Sequence, residues 1–247
     1  MARQHAVAER VRDGTLVVVS AILVDHRTQA TDPVALGRSP VPVRTGRCVR
    51  QVSLLSAAAL LPMIIAHVIG ASVVNPFIDP ISWYAFVPGG AAMIIAGGSL
   101  LALIGVLVTI RMYRGRLVSG PLPAIAMAIF SLAMITVGAC PTDPPDAAPT
   151  IGATIHRVAA GAAFAILPLV GLMISASVSE PRTQLPRRLR RAAYLLATLV
   201  GLFLSIHLPL AFAGSGIAAF GFLERAGFVI MIGYLFLLAA TVDQEGR

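Results

Sequence analysis

Four apolar stretches of this chain each carry a titratable group at a similar distance from one end. His67 lies seven residues before Val74, His207 six before Ala213, Glu224 seven after Ile217 and His156 four after Gly152. On helices rising about 1.5 Å per residue, all four sit roughly 6–10 Å below a common face. Imidazole and carboxyl groups at one depth can exchange protons with a bound molecule. The three histidines His67, His156 and His207, joined by a carboxylate, also form a donor set suited to zinc or iron. Arg157 follows His156 and Arg225 follows Glu224, and either guanidinium can hold an anionic group. Asp79 and Asp143 lie in the connections on the same side.

A plainer alternative stands beside this. Glu224 and the two arginines can pair across helices as structural glue. Adjacent residues point about 100° apart on a helix, so one member of each pair faces the centre squarely. A single histidine is also commonly no more than a hydrogen-bonded core residue. Pro62 near His67 and Pro209 near His207 favour an opening, because proline frees a carbonyl and kinks a helix. The layer is expected to line a polar cavity.

The elements that must hold this layer are membrane helices. The chain is 57% hydrophobic and 12% charged, with mean hydropathy +0.85, whereas soluble domains carry about 25% charged residues. Six runs approach the ~20 residues needed to cross the hydrocarbon: 52–74, 87–110, 118–140, 152–178, 192–213 and 217–242. None alternates as a barrel strand must, so the expectation is an all-α polytopic bundle of six transmembrane helices. Ile151–Ser179, which carries His156 and Arg157, is expected to be the helix that the others enclose. Gly97, Gly98, Gly161 and Gly171 read as close helix packing.

All nineteen basic residues are arginine. Eight lie in residues 1–50, three at Arg111, Arg114 and Arg116, five between Arg182 and Arg191, and one at Arg247. Seventeen of nineteen thus fall on one side, which the positive-inside rule makes cytoplasmic, with both termini there. The net charge of +8 then answers to anionic lipid rather than nucleic acid. The bacterial inner or plasma membrane is the expected location. Residues 1–50 form a polar, poorly ordered arm whose one apolar run, Leu16–Val24, is too short to span, and residues 51–247 form the membrane domain. Cys48 and Cys140 lie on opposite sides and cannot pair.

Two outer connections stand out. In NPFIDPISWY, Asp79 is expected to cap a short surface helix that opens at Pro80 and ends at Pro88-Gly89-Gly90. Trp83 and Tyr84 suit the membrane interface. In CPTDPPDAAPT, Pro141, Pro144, Pro145 and Pro149 make a stiff lid.

At NPFIDPISWY, the PTDPP loop, His156 opening the next span and the Glu224-Arg225 pair, the chain resembles domain-of-unknown-function family 998, a family of six-span membrane proteins. The resemblance covers residues 52–242. It implies a six-span fold and a site at Asp79, Ser82, Asp143, His156, Glu224 and Arg225, but no established activity. His67 and His207 fall outside its pattern, and the N-terminal arm departs from it.

These readings converge on a cavity acting on membrane lipids or a hydrophobic or amphipathic small molecule. As a membrane enzyme it would use Asp143, His156 and Glu224 as catalytic acid and base, with Asp79, Ser82, Arg157 and Arg225 binding substrate. A transporter or scramblase would use the same cavity without chemistry. Acid/base work needs no cofactor; zinc or iron is the alternative, and haem a further one, since IHRVAAG resembles the histidine spans of cytochrome-b-like bundles. No Walker loop, GxSxG, HExxH or CxxC occurs.

Overall fold

The computed structural model describes residues 46–144, 147–148, 150–212, 217 and 219–246. The elements are α1 (Arg47–Gly70), a 3-10 helix (Ile81–Phe86), α2 (Gly90–Arg114), α3 (Leu122–Ala139), α4 (Ile151–Ser177), α5 (Leu185–Phe212) and α6 (Phe220–Glu245). Among the described residues there is no strand. Six of the helices are long and apolar enough to cross a membrane, so this is a multi-pass membrane protein. The N-terminal arm up to residue 45 lies outside the described residues, including Leu16–Val24.

Two helices begin earlier than hydropathy indicates, because caps start them where charge still dominates. α1 opens at Arg47, within the stretch assigned to the arm, and Cys48 and Val52 are wholly buried. The Asp243 carboxylate accepts the Cys48 and Val49 N–H groups at 3.1 and 2.8 Å, two of the donors a helix start leaves orphaned. α5 opens at Leu185 rather than residue 192. Thr183 Oγ1 accepts the Leu185 N–H at 3.1 Å, and proline is tolerated in a first turn. Leu189 is fully buried while Arg187, Arg188, Arg190 and Arg191 are exposed.

Consecutive helices pack side by side, and α6 returns to α1, closing a ring; α6 also meets α2. The expectation that Ile151–Ser179 is enclosed by the others is therefore corrected. α4 is one wall, with Ile151, Val158 and Leu169 exposed, because its apolar residues run all the way round and one face turns to lipid. Close packing appears where glycine allows it. A Cβ at Gly98 would lie 2.5 Å from the Met134 carbonyl oxygen, and one at Gly171 would strike the Tyr234 hydroxyl. Gly161 does not follow the pattern: a Cβ there meets nothing within 4 Å.

α6 fastens both ends of the ring. At the arginine-rich end Asp243 caps α1, and Glu245 accepts from the Arg182 and Thr183 amides at 2.9 and 3.0 Å and from the Thr183 hydroxyl at 2.6 Å. At the opposite end Glu224 and Arg225 hold the 3-10 helix and the residue before it.

Candidate functional site

The end of the ring opposite the arginine-rich one is closed by residues 75–90. Asp79 does not cap the 3-10 helix. Its Oδ2 turns back to accept the Asn75 N–H at 2.7 Å, while Asn75 Oδ1 accepts the Phe77 N–H at 3.0 Å. The cap is supplied from α6: the Ile81 N–H donates to Glu224 Oε2 at 2.6 Å. Backbone bonds from Gly221 N to Ile78 O and from Phe222 N to Phe77 O, both 3.1 Å, tie the same loop to the start of α6. Gly90 ends the segment because a Cβ there would fall within 2 Å of the Tyr84 carbonyl oxygen.

Tyr84 is not an interfacial anchor. It is 1% exposed, and its ring packs on His67 with centroids 4.6 Å apart. Arg225 organises this cluster. Nε donates to His67 Nε2 at 3.0 Å, Nη1 to the carbonyls of Asp79 and Gly221 at 2.9 and 2.8 Å, and Nη2 to the Tyr84 hydroxyl at 3.2 Å. The guanidinium carbon also lies 5.6 Å from the Tyr84 ring centroid. His67 Nδ1 in turn donates to Met63 O at 2.7 Å. These bonds assign the His67 tautomer: proton on Nδ1, lone pair on Nε2. The expected pairing of arginine with Glu224 is replaced by this neutral-acceptor set.

Arg157 is placed differently. Its Nη2 lies 3.5 Å from Asp143 Oδ2, and its side chain is 57% exposed. Asp143 mainly braces the proline-rich loop. Its Oδ1 accepts the Thr150 hydroxyl at 2.6 Å, its Oδ2 the Thr150 N–H at 3.3 Å, and its carbonyl the Trp83 Nε1–H at 3.2 Å. Thr150 then caps α4 by accepting the Ala153 N–H at 3.2 Å.

Beneath the 3-10 helix lies a cavity of about 80 Å³ lined by three polar residues from three elements, Ser82, His156 and Glu224, in an otherwise apolar wall. His156 is 4% exposed. Its Nδ1 donates to the Cys140 and Val137 carbonyls at the end of α3, at 2.7 and 3.1 Å, so Nε2 is left as the basic nitrogen. Ser82 is 3% exposed and its hydroxyl bonds the Thr142 hydroxyl at 2.8 Å. Glu224 accepts from Ile81 through Oε2 and also lines the cavity. A base, a hydroxyl and a carboxyl around one small space can hold one or two waters and move protons through them.

Of the residues singled out by sequence, the structure brings His156, Glu224 and Ser82 together. It does not bring Arg157, Arg225, Asp79 or Asp143 into the cavity wall. The three histidines proposed as a metal set have separate neighbours. His67 faces Arg225, His156 faces the end of α3, and His207 stacks between Phe203 and Phe220 at 5.1 and 5.2 Å. Among the described residues no three His, Cys, Asp or Glu side chains gather as a metal would require. One histidine, His156, lines the cavity. Sequence reasoning missed Tyr84 as a site residue, Thr142, Thr150, Asp243 and Glu245; a carboxylate one or three residues past the end of an apolar run is the signal that marks the last two.

A six-helix membrane protein with a small cavity, lined by three polar residues in an apolar wall under a capped loop, is the class these observations define. The chain matches, over residues 53–241, the model of a family described as protein of unknown function (DUF998), and it belongs to that family. No curated protein and no solved structure matches it.

Proposed function

We propose that the protein is a membrane enzyme that acts by acid/base chemistry on a lipid or lipid-like molecule, in the outer part of the plasma membrane with its arginine-rich end inward. The observation that carries this is the single cavity shared by Ser82, His156 and Glu224. In a hydrolytic step, His156 Nε2 takes a proton from a water held there, and the water oxygen bonds to the substrate's electrophilic carbon or phosphorus. Glu224 gives a proton to the departing oxygen, and Ser82 orients the polar end. Arg157, the more exposed of the two membrane arginines, is the group available for an anionic head.

The volume limits the substrate's pose. Sites that enclose whole ligands span about 300–1,000 Å³, far above about 80 Å³, so only the reacting bond enters and the hydrocarbon stays outside. Purified protein incubated with a total bacterial lipid extract should release a product visible by mass spectrometry. Glu224→Gln and His156→Ala should abolish it while remaining folded. An unchanged lipid profile, or equal turnover in both variants, would refute the reading.

A further inference from the structure

The walls of this cavity differ in strength. Its outer side is held by Ser82–Thr142, Glu224–Ile81 and Arg225–Asp79 hydrogen bonds. Its α2–α3 side is a backbone-to-backbone approach, where a Cβ at Gly98 would lie 2.5 Å from Met134 O. On the α4–α6 side the wall is made of side chains, Phe164 among them. Phe164 of α4 lines the cavity, and its ring edge rests on Gly227 of α6, where a Cβ would be 3.3 Å from Cζ. Behind this contact α5 gives little cover. Only 11% of its most apolar window is buried, against 44% for α2, α3 and α6, and none of Val200–Leu210 is buried. A Cβ at Gly161 on α4 or at Gly201 on α5 would meet nothing within 4 Å. Arg157, Gly161 and Phe164 follow one stripe of α4 at i, i+4 and i+7, so this stripe carries a cation at one end and Phe164 at the other.

We infer that the seam between α4 and the outer half of α5 is the substrate's entry path from the bilayer, with Phe164 on Gly227 as its gate. The occupant is an amphiphile: its chain lies over Gly161 and Gly201, and its polar bond passes Phe164 to reach Glu224 and His156. This rests on the cavity being the reactive site, but access is measured separately from chemistry. The probe is dicyclohexylcarbodiimide, an apolar reagent that partitions into lipid and attaches to carboxyl groups in apolar surroundings. Protein in phosphatidylcholine vesicles is labelled, and the adduct on Glu224 is quantified by peptide mass spectrometry.

Phe164→Ala should label about tenfold faster than wild type, equivalent to lowering a gating barrier by roughly 1.4 kcal/mol. Gly161→Phe, which fills open space and so should fold, should label several-fold more slowly. Thr142→Ala, which loosens the outer cap, should label at the wild-type rate, and a water-soluble carbodiimide should leave Glu224 unmodified. Equal rates in the Phe164 and Gly161 variants, or faster labelling on loosening the outer cap, would place entry on the aqueous face and overturn the inference. Gated labelling without lipid turnover would leave the portal standing and remove the enzyme reading; turnover with ungated labelling would do the reverse.

Discussion

Glu224 and Ile81 are joined by a 2.6 Å bond in which a carboxylate from α6 accepts the first amide of a 3-10 helix 143 residues away in sequence. The group best placed for chemistry therefore also holds the cavity's roof. One substitution separates the two duties. Glutamine keeps an oxygen that can accept the Ile81 N–H but loses the ionisable carboxyl, whereas leucine loses both. Glu224→Leu should lower stability by about 1–3 kcal/mol, the cost of leaving a buried donor unpaired, and Glu224→Gln by much less. Thermal unfolding in detergent checks this. A Gln variant as unstable as Leu would make Glu224 a structural residue.

Arg225 makes four hydrogen bonds to neutral acceptors on three elements. A lysine ammonium is a point donor and cannot reproduce that fork. Arg225→Lys should cost about 2 kcal/mol or more by stranding His67 Nε2 or Tyr84. His67→Phe, which removes one acceptor but keeps a ring against Tyr84, should cost less. Equal losses in these two variants, measured by unfolding, would show that the single bond to His67, rather than the whole guanidinium fork, holds the cluster.

Asp243 caps α1 through two bonds, and its negative charge sits at the positive end of the helix dipole. Asp243→Ala should destabilise by about 1–2 kcal/mol, and Asp243→Asn by less, since the amide oxygen still caps. Gly46→Ala should resemble the aspartate loss, because its Cβ would fall on the Asp243 carboxylate. A neutral result for both would mean that the start of α1 is held by burial of Cys48 and Val52 alone.

The number and placement of the spans were legible because the bilayer imposes length and apolarity on every run. Which residues meet was less legible than where the spans lie. His156, Glu224 and Ser82 share the cavity, yet depth along a helix says nothing of which way a side chain turns, so the His67–His156–His207 set dissolved into three environments. Arg225 looked like a ligand for an anion and instead satisfies the loop at Asp79 and Tyr84. Tyr84 looked interfacial because it is aromatic and follows a tryptophan, and its burial comes from tertiary contacts with His67 and Arg225. Helix starts at Arg47 and Leu185 were hidden because Asp243 and Thr183 supply the caps, and the first of these acts across almost the whole chain.

Cys48 and Cys140 give a test of orientation with no substitutions. The two cysteines sit at opposite ends of the ring: Cys48 in the first turn of α1, wholly buried beside Asp243, and Cys140 at the end of α3, partly exposed and next to the proline-rich loop. The arginine distribution places the Cys48 end inside. A membrane-impermeant maleimide added to intact cells should therefore modify Cys140 and leave Cys48 untouched. Detergent should not raise Cys48 labelling much while the protein stays folded, because burial alone protects it; urea should expose it. Modification at Cys140 should also slow any lipid turnover, since its carbonyl holds His156 Nδ1 at 2.7 Å and a bulky adduct would shift it. Labelling of Cys48 in intact cells, with Cys140 protected until the membrane is opened, would invert the topology and move the cavity to the cytoplasmic leaflet.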